Sequence, residues 1–120
     1  MRALTALKSK KVLLANLNRE AKYQIIRDLI AKGEINDLEK LEDELKIIKE
    51  LGIAISKGET TKGTFSVAAP IFSWENKVVA SISVGGPITR FKDHVAKYIV
   101  SETKRAAEEI SEELGWMKPR

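Results

Sequence analysis

TFSVAAPIFSWENKVVASISV, residues 64–84, decides the class of fold. Its two halves, Thr64–Phe72 and Lys77–Val84, are rich in β-branched and aromatic residues and read as strands. Ser73–Asn76 between them has the length of a hairpin connection. Trp74 sits at that turn, where burial against a neighbouring layer is favoured over an exposed partner contact. Pro70 cannot donate to a ladder, so it places an edge or a bulge near the end of the first strand.

Working outward, Ile53–Ile55 reads as a short strand ahead of the polar segment Ser56–Gly63. On the other side, Gly85, Gly86 and Pro87 punctuate the exit from the second long strand. Thr89 is then a cap for a final helix at 90–114, with an apolar face of Phe91, Val95, Tyr98, Ile99, Ala106, Ile110 and Leu114. Gly115 ends it and leaves a short tail at 116–120 with Trp116 and Pro119.

The N-terminal half has helical period instead. Residues 5–15 fit a short helix interrupted by Lys8, Lys10 and Lys11. A second runs from 18 to 32, capped by Asn18, stopped by Gly33 and striped by Ile25, Ile26, Leu29 and Ile30. Tyr23 lies beside that stripe and reads as packing rather than ligand contact. Asn36 and Glu39 have capping-box spacing before Leu38, Leu41, Leu45 and Ile48, and Gly52 closes that helix. Its acids Glu39, Glu42, Asp43 and Glu44 are better explained as a solvated face than as an acidic binding surface.

Helices with antiparallel strands packed against them make an α+β domain. A sheet of two or three strands exposes backbone edge and one apolar face, which pairing with another copy would cover.

Composition narrows the chemistry. At 120 residues there is room for one domain with a modest core. The absence of cysteine excludes disulfides, thiolate metal sites and thiol catalysis, and a single histidine cannot form a cluster. No apolar run approaches a bilayer span and the N-terminus lacks a secretory core, so a soluble, cytoplasmic protein is the simplest expectation. The formal charge of +4 resides in Arg2, Lys8, Lys10 and Lys11; residues 12–120 carry 17 bases and 17 acids. A basic leader could touch phosphate, but no helix-turn-helix pair supports base reading.

There is no phosphate loop, paired-histidine motif or serine-hydrolase elbow. His94 has no nucleophile beside it in sequence, and the acids at 108, 109, 112 and 113 read as solvated surface. No catalytic, metal or cofactor site is therefore expected, and the chain does not read as an enzyme. Polar side chains remain: Ser56, Glu59, Thr60, Thr61, Ser66, Ser81 and Ser83 offer hydrogen bonds, with Ser81 and Ser83 on the same side of their strand. Facing a pocket they could hold a small carboxylate; facing water they would do nothing specific.

The segment ELGIAISKGETTKGTFSVAAPIFSWENKVVASISVGGPITR at 50–90 resembles the effector-binding domain of IclR-type transcriptional regulators. The glycine and acidic loop at 52–63, VAAPIF at 67–72 and ASISVGGPITR at 80–90 carry the likeness. EEISEELG at the end of the last helix and KVLLANL at 11–17 extend it from about residue 5 to 115. The resemblance implies a partial GAF-like domain at 1–115, incomplete at its N-terminal side and without the winged helix that reads DNA. It also implies a small organic acid as effector. Ser56 matches a position often acidic, Ser66 one often cysteine, Ser83 a pocket serine, and Gly85 a place where a second serine can stand. Lys10 stands where the family has a glycine near the ligand.

The functional expectation is a truncated, regulator-like protein that binds a small organic acid and associates with itself or with related regulators. Direct sequence-specific DNA binding is not expected. The alternatives are an interaction module that uses an exposed edge without a ligand, and a nonfunctional gene fragment.

Overall fold

The architecture follows from a sheet with helices on both faces. In the computed structural model, residues 8–58 and 62–119 are described. The order is α1 (Lys8–Ala15), α2 (Arg19–Ala31), α3 (Leu38–Leu51), β1 (Ala54–Lys57), β2 (Thr64–Phe72), β3 (Val78–Pro87), a 3-10 turn (Ile88–Arg90) and α4 (Asp93–Glu113). The three strands form one antiparallel sheet in the order β1-β2-β3. The expected α+β class holds. Among the described residues, no helix is long and apolar enough to cross a membrane.

Alternation along the strands feeds two cores. On one face, Ala54 and Ala68 pack with Val12, Leu14 and Ala15 of α1 and with Ile26, Leu41, Leu45 and Ile48 of α2 and α3. On the other, Phe65, Val67, Ala69 and Ile71 pack with Ile53, Phe91 and Ala107. Phe65 stacks on Phe91 at 4.5 Å between ring centres.

Local signals explain the boundaries. The Asn18 side chain accepts from the Ala21 N–H and opens α2. Asp37, not Asn36, opens α3 by accepting from the Lys40 N–H at 3.0 Å. Its carboxylate also suits the positive end of the helix. Gly52, at φ +76°, closes α3 with its N–H on the Ile48 carbonyl. The Ser73–Asn76 turn is closed by the Asn76 N–H donating to the Ser73 carbonyl, with Asn76 at φ +60°. β1 pairs with β2 only as far as Ala68, so β2 is locally an edge at Pro70, and an irregularity follows at Ile71/Phe72. Both devices expected of Pro70 are present.

Several expectations fail for identifiable reasons. Ile30 and Tyr23 are exposed; only Ile26 and Leu29 of α2 are buried. The Tyr23 ring lies beneath the cations of Arg19 and Lys22, at 5.7 and 5.5 Å. Gly85, Gly86 and Pro87 extend β3 rather than end it. A Cβ on Gly86 would come within 3.1 Å of the Phe65 ring, so a side chain there would ask that ring to shift by a few tenths of an ångström, which glycine inside the strand avoids. Thr89 falls in the 3-10 turn, and Lys92 is the residue before α4. Trp74 is 72% exposed. Trp116 fills the place next to the hairpin instead: it stacks on Phe72 and donates its Nε1–H to Asn76 Oδ1 at 2.7 Å. The helix expected from residue 5 is present from Lys8; residues 5–7 lie outside the described part.

α4 holds the largest departure. It buries Thr103, Ala107 and Ser111, with Ala96, Ile99 and Val100 partly covered, while Val95, Tyr98, Ile110 and Leu114 are exposed. The polar members of the buried strip are satisfied locally. The Thr103 hydroxyl donates to the Ile99 carbonyl, and that of Ser111 donates to Ala107 and accepts the Phe72 N–H at 2.9 Å.

Candidate functional site

The register assembles the four residues named from sequence. Ser56 pairs with Ser66, and Ser66 with Gly85, which sets three of them in one row across the sheet. The next row on the same face is Ala54, Ala68 and Ser83, followed by Pro70 opposite Ser81. Period two therefore gives Ser56, Ser66, Ser83 and Gly85 a common face. It is the face on which Ala54 and Ala68 meet α1.

Small residues are what permit that approach, because α1 lies over alanine, serine and glycine rather than over branched side chains. Accessibility grades across the row. Ser56 is only 2% exposed, Ser66 is half-buried, and Ser83 and Gly85 are exposed on β3. A Cβ at Gly85 would approach the Phe65 carbonyl oxygen to 3.2 Å, so a side chain there requires a small backbone shift. Lys10 lies on the exposed side of α1, where its charge stays in water. Glu59, Thr60 and Thr61 lie outside the described residues.

The lysine next to it behaves differently. Lys11 is 7% exposed and its ammonium is bonded to the Glu44 carboxylate of α3. This pair ties α1 to α3 and holds α1 over the serine face. Neither the leader lysines nor the α3 acids, read singly as surface charge, identify this pairing; only the packing of α1 against α3 brings them together. The signal available in sequence was Lys11 directly before the apolar run at 12–15.

A second concavity lies on the opposite face. A shallow groove of about 700 Å³ runs between β1 and α4, with Ile55, Phe91 and Val100 in its floor and Lys57, Lys97 and Lys104 at its rim. The Lys57 ammonium sits 5.7 Å from the centre of the Phe91 ring. The four serine-face positions are not among its lining residues. Sequence periodicity gave no sign of this groove, because it needs the pairing of β1 with one flank of α4.

Two charged groups on the surface of α4 are electrostatically perturbed. Arg105 bonds both Glu102 and Glu109, which lowers the Glu102 carboxyl below its ordinary range and raises the guanidinium. Both groups are solvent-facing, so this is a surface clasp and not a catalytic pair.

Comparison with known proteins fits this arrangement. Residues 4–112 match the family model described as bacterial transcriptional regulator IclR C-terminal. The HTH-type transcriptional regulator KipR of Bacillus subtilis is 36% identical over 87 residues, covering 72% of this chain and 35% of that protein. The uncharacterized HTH-type transcriptional regulator RhmR of Escherichia coli is 30% identical over 113 residues, covering 91% of this chain and 44% of its own length. The chain thus spans less than half of these curated relatives. Among solved structures, IclR of Thermotoga maritima superposes with a TM-score of 0.82 at 26% identity, covering 94% of this chain and 47% of that one. The C-terminal domain of E. coli KdgR gives 0.80 at 28% identity, covering 94% and 71%. The α+β architecture is accordingly the GAF-like one expected from the sequence.

Proposed function

The chain belongs to the IclR C-terminal family of bacterial transcriptional regulators, and from that membership we propose that it is an effector-binding module for a small organic acid. The observation that carries this reading is the row Ser56–Ser66–Gly85, with Ser83 on the same face. A carboxylate needs convergent donors, and two serine hydroxyls on neighbouring strands supply them. Ser66 and Ser83 are the principal donors. Ser56, being buried, shapes the inner end of the row, and Gly85 leaves it open.

In this reading the module works in the cytoplasm by binding and association, without turnover. Acid binding beside α1 is transmitted to self-association or to pairing with related regulators. Base reading is not part of this module's work; a mobility shift with the purified chain that reveals a defined operator would contradict that assignment.

The direct test is calorimetry with a panel of small aliphatic and aromatic acids against the wild-type chain, Ser66→Ala and Ser83→Ala. Each hydroxyl lost from a charged acceptor is expected to weaken binding roughly tenfold. Saturable binding that is indifferent to both substitutions would remove the serine face from the account. Association that persists without any acid binding would favour a pure interaction module.

A further inference from the structure

The sheet face that carries Phe65 and Phe91 leaves positive charge unanswered. Period two along β1 sends Ile55 and Lys57 to this face, and α4 lays Ala96, Val100 and the stripe Lys97–Ser101–Lys104 beside them. Arg105 and Glu108 also line the groove, but both are already engaged: Arg105 by Glu102 and Glu109, and Glu108 by Lys118 at 3.1 Å. Among the described residues, no carboxylate pairs with Lys57, Lys97 or Lys104. Lys104 donates at 3.4 Å to the Leu51 carbonyl.

The floor is fixed before any ligand arrives. Phe91 stacks on Phe65 at 4.5 Å, and β1 is held in register with β2 from Ala54 to Lys57. Between Ala96 and Glu108 the α4 wall is about 18 Å long at the helical rise per residue. The space of about 700 Å³ falls within the roughly 300–1,000 Å³ that holds single small molecules. A protein partner would need apolar surface that continues past the groove, and the exposed Arg105–Glu109 pair borders it instead.

We infer that this groove is a binding site for a long-chain carboxylate, a free fatty-acid-like anion. Its alkyl body lies on Ile55, Ala96 and Val100, and Lys57 and Lys97 take the head group. The Lys57 ammonium already stands 5.7 Å from the Phe91 ring centre, so it meets the head group directly beside the apolar floor. A short acid would gain only the screened attraction of exposed lysines, and an uncharged chain would leave the rim unused. Apolar floor and unpaired rim together select an amphipathic anion. The serine face lies across the sheet, so this site neither rests on the small-acid site proposed there nor replaces it.

The test is calorimetry of the intact chain with decanoate below its micelle-forming concentration, beside acetate and decyltrimethylammonium. Decanoate is expected to bind saturably, and the other two roughly tenfold or more weakly. Octanoate, shorter by two methylenes, should bind roughly threefold to tenfold more weakly than decanoate. Lys97→Glu and Ser101→Glu alter exposed side chains and should keep the native circular dichroism spectrum. Each is expected to weaken decanoate binding about tenfold, whereas the Ser66→Ala, Ser83→Ala double variant should bind it like wild type. No uptake of decanoate, equal binding of decyltrimethylammonium or acetate, or binding untouched by both K97E and S101E would each overturn the site. Decanoate binding lost in the serine double variant and kept in K97E would place the anion on the serine face, overturning this site and leaving the small-acid reading intact.

Discussion

A lysine buried to 7% exposure needs a counter-charge, and Lys11 has one in Glu44. Removing one member leaves the other poorly solvated, at a cost of order 2–3 kcal/mol because Glu44 retains some access to water. Glu44→Ala should lower the unfolding free energy in urea by about that amount, and the double change Lys11→Met with Glu44→Ala should recover much of it. A single change that costs nothing would show that the pair does not hold α1. Ser111 makes a similar case without charge. Ser111→Ala strands the Phe72 N–H and is expected to cost about 1–2 kcal/mol, measured by the same denaturation. Gly115 is constrained sterically: at φ +91° a Cβ would stand 2.9 Å from that of Trp74, so Gly115→Ala should lower Tm by several degrees.

At the scale of elements, α4 shows why helix faces can be misread. The sequence signal weights large apolar residues, which here are Val95, Tyr98, Ile110 and Leu114. The sheet is instead met by Thr103, Ala107 and Ser111, because small side chains allow the helix to sit close to β2. β2 was legible to the residue, since alternation and the turn that follows it are both local signals. The continuation of β3 through Gly85–Pro87 was not, since glycine and proline signal turns unless a neighbour such as Phe65 needs the space. The surface clasp on α4 has a definite pH signature. Hydrogen bonding to Arg105 lowers the folded pKa of Glu102 below its ordinary 4.5, so its contribution is present above that pH and is lost as acidification passes through the folded value. An NMR titration of Glu102 should have its midpoint below 4.5 and return toward it in Arg105→Gln; an unshifted wild-type midpoint would show that the clasp is absent in solution.

For the whole molecule, the α+β class was legible from period alone, whereas the covering of both sheet faces by helices, where one apolar face was expected to stay open, and the candidate site were not. Composition identified hydroxyls, and the family resemblance singled out Ser56, Ser66, Ser83 and Gly85. Only strand register shows that they share one face, because pairing Ser56 with Ser66 and Ser66 with Gly85 depends on two connections acting together. The net charge of +4 also changes meaning, since Lys11 is spent inside the fold and is not available to a nucleic acid. Native mass spectrometry of the freshly purified chain tests the central claim most directly, because it reads stoichiometry and retained small molecules together. The account predicts a dimer that takes up a small organic acid, and loss of the acid but not the dimer in the Ser66→Ala, Ser83→Ala double variant. A monomer that retains no acid from a broad panel would contradict it.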